Sequence, residues 1–291
     1  MLELDKIHCG DNCDLLGQLP RECIDLVVTS PPYDDLRTYG GHSWDFFGVA
    51  WQLKRVLKPG GVIVWVVADA TKDGGETGTS MEQALHFKRL GLNLHDTMIY
   101  QKKGHPFPPG NRYYQQAEFM FVLSKGAPRV FNGIKQETVA YKRKKSSIRN
   151  KDGTMESMKY ETRKEERLLD NVWLLNTGFM QTTKDEIAYD HPAIFPEALA
   201  KRHIFTWSNP SDLVLDPFCG SGTTCKAAKE LGRSFLGFEI NPEYCAIAER
   251  RISQHVMELE MPSGVCPGNA AGTHRAAQES VDNDFAGSDG G

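Results

Sequence analysis

The sequence lacks any run of the roughly 20 consecutive apolar residues that a membrane-spanning helix needs. Its first residues, 1–5, lack the basic and then apolar pattern of a signal peptide. Its seven cysteines include no Cys-x-x-Cys pair, and this odd, scattered set predicts neither a zinc site nor a disulfide framework. We therefore expect a cytoplasmic protein that binds no membrane and no metal ion, with reduced and mostly buried thiols.

The chain also lacks an excess of positive charge, since 34 lysines and arginines face 38 acidic residues, which gives a net charge of −4. Such a balance at first argues against a polyanionic partner. The average, however, combines two unlike segments. Residues 141–167 carry ten basic and five acidic side chains, whereas residues 255–291 carry six acidic side chains and one basic one. The net charge therefore excludes no class of partner, and the end of the chain, 259–291, is expected to be a disordered tail.

Strand patterns alternate with helical patterns along most of the chain, which predicts an α/β protein with a mostly parallel, doubly wound sheet. A capping box formed by Ser80 and Gln83 is expected to begin the second helix. The predicted strands are 24–29, 62–67, 96–101 paired with 118–123, 213–216 and 234–240, and the predicted helices are 46–57, 80–90, 194–205, a turn and helix within 220–231, and 242–257.

A glycine-rich turn with the sequence Asp-Pro-Phe-Cys-Gly-Ser-Gly-Thr-Thr begins at Asp216, where a predicted strand gives way to a helix. Glycines at such a point let a ligand approach the backbone and the amino end of the helix. A P-loop is excluded because Thr223, and not lysine, follows Gly222, and a dinucleotide fingerprint fits poorly because Cys225 occupies its third small position. S-adenosylmethionine is the remaining candidate, since its cationic end favours an acidic strand end. Glu239, which closes the next predicted strand, suits the ribose hydroxyls of an adenosine cofactor.

A second turn, Thr29-Ser30-Pro31-Pro32-Tyr33, directly follows the first predicted strand. Its two prolines stiffen the turn and remove two backbone donors, so that carbonyl groups are left to accept hydrogen bonds. A hydroxyl and a carbonyl acceptor beside an aromatic ring suit the exocyclic amino group of a flipped base, because the acceptors bind its N–H groups while the base stacks on the ring.

These two turns belong to a longer series of motifs. In chain order the series comprises Gly10-Asp11, the 29–33 turn, Leu57-Lys58-Pro59-Gly60-Gly61, His191-Pro192-Ala193 with Phe195-Pro196, the 216–222 turn, and Glu239. In this order the sequence resembles the beta class of amino-group DNA methyltransferases, over about residues 5–255. The resemblance implies a Rossmann-like, S-adenosylmethionine-dependent methyltransferase fold with an antiparallel hairpin in the mostly parallel sheet. It also implies a circularly permuted motif order, in which the catalytic part precedes the cofactor part.

The same resemblance implies a division of the chain. Residues 1–127 would form the catalytic part of the methyltransferase domain, and residues 128–185 an inserted target recognition region. Residues 186–258 would form the S-adenosylmethionine-binding part of the same domain, followed by the 259–291 tail.

Individual residues also receive roles from the resemblance. Asp11 would meet the adenine amino group of the cofactor and Glu239 its ribose, while Phe218 and the turn glycines would line its methionine end. The implied catalytic residues are Ser30, Pro31, Pro32 and Tyr33. The implied cofactor-binding residues are Asp11, Thr29, His191, Phe195, Asp216, Pro217, Phe218, Gly220, Ser221, Gly222, Thr223, Glu239 and Asn241.

The implied reaction is direct methyl transfer to the exocyclic amino nitrogen of a flipped base. Hydrogen bonds from its two N–H groups to Ser30 Oγ and the Pro31 carbonyl would free the nitrogen lone pair, while positioning and electrostatics supply most of the acceleration. A cytosine-C5 enzyme would need a Pro-Cys nucleophile, and no such dipeptide occurs. A serine at the position of Ser30 most often accompanies cytosine-N4 methylation in this family, so we predict a site-specific cytosine-N4 methyltransferase. Adenine-N6 methylation, an RNA substrate and a non-catalytic protein that binds S-adenosylmethionine or DNA are the alternatives.

Basic side chains supply the candidate contacts to double-stranded DNA. The run at 142–145, with Arg149, lies where this class keeps its target recognition region, so we expect it to contact phosphates. Lys102 and Lys103 precede a loop rich in proline and could hold the target strand, with a solvated loop as the alternative. A monomer or homodimer and a cognate restriction endonuclease as partner are further expectations. The full set of predicted DNA contacts is Lys102, Lys103, Lys142, Arg143, Lys144, Lys145 and Arg149.

Overall fold

The computed structural model describes residues 2–32, 44–103, 110–137, 146–158, 166–191 and 194–259. The chain forms two compact units. The larger unit combines Met1–Asn132 with Asn171–Gly291, and the smaller one consists of Gly133–Asp170.

Strands alternate with helices along most of the larger unit. The strands in chain order are Lys6–Cys9 (β1), Ile24–Thr29 (β2), Leu57–Val67 (β3), Thr71–Lys72 (β4), Gly75–Glu76 (β5), Asn93–Lys103 (β6), Ala117–Ser124 (β7), Lys135–Glu137 (β8), Ser146–Arg149 (β9), Met155–Met158 (β10), Glu166–Leu168 (β11), Val172–Asn176 (β12), Leu213–Asp216 (β13) and Ser234–Glu239 (β14). The helices are Asn12–Gly17 (α1), Phe46–Val56 (α2), Thr79–Arg89 (α3), Glu197–Trp207 (α4), Thr223–Glu230 (α5) and Pro242–Leu259 (α6), with a 3-10 helix at Glu186–Asp190. Across the ranges that the structure describes, none of these helices combines the length and the apolar character needed to cross a membrane.

Eight strands of the described chain form one sheet in the order β1-β14-β13-β2-β3-β7-β6-β12. Strand β7 runs antiparallel to β3 and β6, and every other neighbouring pair in this sheet is parallel. The predicted mostly parallel sheet with an antiparallel hairpin is therefore confirmed. The carboxyl ends of seven strands and the amino end of β7 consequently meet along one edge of the sheet.

The position of the last two strands brings distant parts of the sequence together. Strands β13 and β14 come late in the chain but lie between β1 and β2. The glycine-rich turn after β13 is therefore next to the end of β2, where the Ser-Pro-Pro turn begins.

The centre of the sheet is buried. Strand β2 and residues 62–67 of β3 are buried at every position, which explains why most of their residues are apolar and many are β-branched, with the buried Asp25 of β2 as the charged exception. Leu53 of α2 and Phe87 of α3 pack in the same core cluster as Trp65 of β3, while α4 contacts β2 and α5 contacts β13 and β14. Trp65 Nε1 donates a hydrogen bond to Gln83 Oε1 at 2.8 Å, so the buried indole is satisfied by α3.

Most predicted elements are present, with shifts at their ends. The strands at 24–29 and 213–216 have the predicted bounds. The helix predicted at 194–205 begins at Glu197, because Pro196 precedes it with an extended backbone (ψ 135°). Strand β1 lies directly before Gly10-Asp11, whereas β12 is an addition to the predicted strands and alternates exposed and buried residues at the edge of the sheet.

The predicted capping box of α3 is wrong. The helix begins after Gly78, which is its N-cap and has a left-handed φ of 72°. No side chain forms a capping hydrogen bond at this position. Ser80 is used differently, since its backbone N and its Oγ donate to the Asp69 carboxylate at 2.8 and 2.6 Å. Gln83 accepts the indole hydrogen bond of Trp65 and does not reach back to the helix start.

The smaller unit consists of two antiparallel strand pairs, β8 with β11 and β9 with β10. Ile134 is buried, whereas Arg149 on β9 is exposed. The basic run at 142–145 lies outside the described residues. The unit lies within the segment 128–185 that the resemblance assigns to target recognition, while residues 171–185 belong to the larger unit.

The six described cysteines are all free thiols. Cys219, Cys225 and Cys245 are buried, and Cys9 is exposed. The remaining two, Cys13 and Cys23, are half-buried, so the expectation of mostly buried thiols holds for only half of this set.

Candidate active site

A cavity of about 930 Å³ runs along the carboxyl edge of the sheet. This volume is near the upper end of the roughly 300–1,000 Å³ typical of small-molecule sites. Crevices beyond the carboxyl ends of parallel strands are the usual ligand sites of open α/β sheets. The cavity is therefore the candidate active site.

The strand order arranges the cavity residues in two groups, with Ser30 and Pro32 of the turn after β2 between them. On one side are residues at the carboxyl ends of β1, β14 and β13 or directly after them, including Asp11, Glu239 and the 217–221 turn. The other side is formed by residues on β3, β7, β6 and β12 or after these strands. They are Asp69, Ala70, Ala117, Glu118, Tyr100, Lys102, Thr177, Gly178 and Phe179.

Both glycines of the turn are required by the geometry. Gly220 has a φ of +49°, and a Cβ there would lie 2.9 Å from His191 Nε2. Gly222 has a φ of +81°, and a Cβ there would lie 2.9 Å from the Cβ of Ala248 on α6. The turn thus combines left-handed backbone with close approaches that a larger residue would block.

The Glu239 carboxylate faces the cavity in a fixed position. Its Oε2 accepts a hydrogen bond from the backbone N of Gly220 at 3.0 Å, and its Oε1 accepts one from the backbone N of Asn241 at 2.9 Å. These two backbone donors therefore fix the position of the Glu239 carboxylate at the cavity.

Asp216 and Thr29 connect the two turns rather than line the cavity. Thr29 Oγ1 donates to Asp216 Oδ1 at 2.6 Å, and the backbone N of Phe218 donates to the same oxygen at 3.1 Å. Burial raises the pKa of Asp216 to about 6, although these two hydrogen bonds act in the opposite direction. Asp216 Oδ2 has no hydrogen-bond partner among the described residues. The pair holds the end of β2 against the end of β13.

The Ser-Pro-Pro turn is held by aromatic contacts. Trp44 Nε1 donates to the Pro32 carbonyl at 3.1 Å. The Trp44 ring meets the Phe218 ring edge-on, with centroids 4.8 Å apart, so an aromatic wall joins this turn to the glycine turn. Tyr33, the last residue of the predicted catalytic turn, lies outside the described residues.

The far side of the cavity contains a buried carboxylate. Glu118 is almost completely buried and forms an ion pair with Lys102. Burial, together with the nearby Glu118 charge, raises the pKa of the Tyr100 phenol well above its ordinary value. Lys102, predicted to hold DNA, therefore lies inside the cavity and is already paired. For Lys103 the structure describes the backbone at the end of β6 only.

The structure brings most of the predicted cofactor and catalytic residues together. Those that line the cavity are Asp11, Ser30, Pro32, His191, Phe195, Pro217, Phe218, Gly220, Ser221, Thr223 and Glu239. Thr29, Pro31, Asp216, Gly222 and Asn241 adjoin these residues in sequence but are not among the lining residues.

Several cavity residues were not found by sequence reasoning. Asp69 comes shortly after the end of β3, just as Ser30 comes after the end of β2. Its position after a buried strand could therefore have marked it as a cavity residue. Tyr100 and Glu118 carry no such signal, because they lie on antiparallel neighbours whose order in the sheet the sequence does not reveal. Trp44 and Phe179 likewise reach the cavity from loops.

Comparisons with known proteins identify the family of the chain. Residues 24–250 match the family model N6_N4_Mtase, described as DNA methylase. The orphan methyltransferase M.BamHII of Bacillus amyloliquefaciens is 48% identical in an alignment of 239 residues that covers 80% of this chain and 90% of the relative. The type II methyltransferase M.BglII of Bacillus subtilis is 30% identical in an alignment that covers 86% of this chain and 69% of the M.BglII sequence.

Solved structures show the same fold. A protein of Thermus thermophilus, assigned as a DNA modification methylase and complexed with S-adenosyl-L-methionine, has a TM-score of 0.58 and 27% identity, over 86% of this chain and 95% of that one. The PvuII cytosine-N4-specific DNA methyltransferase has a TM-score of 0.61 over 95% of this chain and 92% of that one, and at 20% identity this likeness shows the fold alone.

The comparisons confirm the predicted methyltransferase fold class and S-adenosylmethionine as the cofactor of the family. They also confirm the resemblance drawn from the motifs, since the matched family covers 24–250 of the predicted 5–255. The chain is a DNA methyltransferase and belongs to the N6_N4_Mtase family of DNA methylases.

Proposed function

We propose that this DNA methyltransferase methylates the exocyclic N4 of a cytosine flipped out of duplex DNA, in a restriction-modification or orphan methylation role. The observation that carries the proposal is the position of Ser30 at the end of β2, in the middle of the cavity. The glycine turn lies on one side of it, and Tyr100 and Glu118 lie on the other. A methyl donor on the first side and a base on the second would meet at Ser30.

The side of the glycine turn suits the cofactor. Only glycine permits the close approach of this turn to His191 and Ala248, and Glu239 is fixed by two backbone donors. Asp11 caps α1 and also faces the cavity. We assign Glu239 to the ribose hydroxyls and Asp11 to the adenine amino group. When bound there, S-adenosylmethionine supplies an electrophilic methyl group on a positively charged sulfur.

Ser30 and Pro31 are assigned to the amino group of the base. Ser30 Oγ and the Pro31 carbonyl accept hydrogen bonds from its two N–H groups and weaken the conjugation of the nitrogen lone pair with the ring. Such pre-oriented acceptors need no reorganisation during the reaction. The hydrogen bond from Trp44 to Pro32 and the Thr29–Asp216 bond hold the turn from both ends, which supports this preorganisation.

The choice of cytosine-N4 depends on the serine of the catalytic turn. In the family that this sequence resembles, a serine at the position of Ser30 most often accompanies cytosine-N4 methylation, and an aspartate usually accompanies adenine-N6 methylation. We assign stacking on the flipped base to Tyr33, and DNA phosphate contacts to Arg149 and the 142–145 run. Lys102 is assigned to the base side of the cavity, because its ion pair with Glu118 lies there.

Product analysis tests the proposal. Duplex DNA is incubated with the enzyme and methyl-labelled S-adenosylmethionine, digested to nucleosides and analysed by mass spectrometry, with RNA as a parallel substrate. We expect label in N4-methylcytosine from DNA. Label only in N6-methyladenine would refute the cytosine assignment, and label only in RNA would refute the DNA assignment. No label in either, with intact binding of S-adenosylmethionine, would favour a non-catalytic protein.

A further inference from the structure

Arg251 on α6 is a fully buried cation next to the glycine turn. Its side chain has 0% exposed area, whereas the neighbouring Arg250 is exposed. Arginine is almost never buried so completely unless it is paired. The spacing of Arg251 from the buried Ala248 places it on the inner face of α6.

The guanidinium of Arg251 binds both the backbone and the hydroxyls of the turn. Its Nη1 donates to the Ser221 carbonyl at 2.7 Å, to Ser221 Oγ at 3.0 Å and to Thr223 Oγ1 at 3.2 Å. Ser221 and Thr223 both line the cavity. A hydroxyl whose oxygen accepts from a cation must turn its own hydrogen away from that cation, so it can donate elsewhere.

Carboxylates fix the other side of the guanidinium. Arg251 Nε donates to Asp185 Oδ2 at 3.1 Å, and Nη2 donates to Glu197 Oε1 at 2.9 Å. Lys226 Nζ bridges the same two carboxylates at 2.7 and 3.0 Å. Two carboxylates thus face the two cations, and Lys226 Nζ also lies 3.7 Å from the Glu230 carboxylate. Paired, hydrogen-bonded charges of this kind are costly to separate, so the guanidinium has one well-defined position.

We propose that Arg251 is a positioning residue that prepares the Ser221 and Thr223 hydroxyls to bind the carboxylate at the methionine end of S-adenosylmethionine. The inference rests on the proposed placement of the cofactor against the glycine turn. With their oxygens held by Arg251, the two hydroxyls present O–H donors towards the cavity. Two O–H donors at the cavity wall suit an anionic group, which can accept from both. Arg251 is not among the cavity-lining residues, so it acts through the two hydroxyls.

The test compares ligands with and without the carboxylate by isothermal titration calorimetry on the full chain. S-adenosylmethionine has the carboxylate, and 5′-methylthioadenosine has the adenosine and sulfur but no amino acid end. Arg251→Lys keeps the charge but cannot reach the turn and both carboxylates together. We expect it to weaken S-adenosylmethionine binding roughly tenfold and to leave 5′-methylthioadenosine binding unchanged. Arg250→Lys is the matched control, and it should change neither affinity.

A second variant avoids the buried charges. Thr223→Val removes one of the two hydroxyls at nearly the same volume, and it should show the same ligand-selective loss. If Arg251→Lys does not fold, as judged by circular dichroism, Thr223→Val decides alone. Equal weakening of both ligands, or of neither, would overturn the positioning role.

Gly220→Ala separates this inference from the proposed function. If that variant binds S-adenosylmethionine normally, the glycine turn is not the cofactor site and the proposed placement fails. If it loses binding while Arg251→Lys retains it, only the role of Arg251 is refuted.

Discussion

Gly222→Ala tests how closely α5 and α6 are packed at the cofactor turn. Gly222 has a φ of +81° and precedes α5, and an added Cβ would lie 2.9 Å from the Cβ and 3.2 Å from the Cα of Ala248. Ala248 is completely buried on α6. Because one of the crowded atoms is backbone, no side-chain rotation can relieve the contact.

The expected cost has two parts. Holding alanine in the left-handed region costs about 1–2 kcal/mol. Forcing an extra carbon into a packed interface costs a further 1–3 kcal/mol or so. Gly126→Ala isolates the first part, because Gly126 has a φ of +83° and a Cβ there meets nothing within 4 Å.

Urea denaturation of the two variants and the wild type measures this difference. We expect Gly222→Ala to lower the free energy of unfolding by about 1–3 kcal/mol more than Gly126→Ala does. Calorimetry should also show weaker S-adenosylmethionine binding for Gly222→Ala only. Equal destabilisation of the two variants would refute the close approach of the helices as the reason for this glycine.

Three further predictions concern charge and chemistry. Burial raises the pKa of Asp216 from 3.8 to about 6, so its protonated form is favoured by folding. The stabilisation that comes from protonated Asp216 is present below the unfolded-state pKa and is lost as the pH rises through 6. From about pH 4 to 7, the wild type should therefore lose on the order of 3 kcal/mol of unfolding free energy relative to Asp216→Asn. Denaturation experiments that give parallel pH profiles for the two proteins would contradict this. Ser30→Ala should lower kcat roughly 100-fold in a methyl-transfer assay without changing the Kd for S-adenosylmethionine, and an unchanged kcat would remove Ser30 from the mechanism. Glu239→Gln should weaken S-adenosylmethionine binding by roughly tenfold or more in calorimetry, because an amide can no longer accept from both backbone N–H groups and the ribose; unaltered affinity would disprove the ribose assignment.

Local sequence signals were sufficient to predict the positions of the Ser-Pro-Pro turn and the glycine turn. The run at 24–29 is fully buried and, apart from Asp25 and Thr29, apolar, so residue type predicts that the strand ends before the Ser-Pro-Pro turn. The short strand at 213–216 is likewise mostly buried and ends in Asp216, directly before the glycine turn. Both turns directly follow parallel strands. The permuted motif order, which places the two turns side by side, came from the family resemblance.

Features that depend on distant partners were not predictable. Arg251 has helical spacing from the buried Ala248, but its partners Asp185, Glu197 and Ser221 are distant in sequence and only the structure shows them. The capping box failed for a similar reason. Ser80 has the right spacing to Gln83, but Asp69 and Trp65 offer stronger tertiary hydrogen bonds. Tertiary contacts override local propensity at such positions.

The most direct test of the proposed activity is nucleoside mass spectrometry of DNA from cells that express the wild type or Ser30→Ala at equal levels. The Ser30 mechanism predicts N4-methylcytosine in the wild-type DNA and almost none in the DNA from the variant. N6-methyladenine in place of N4-methylcytosine, or equal N4-methylcytosine in both samples, would contradict it.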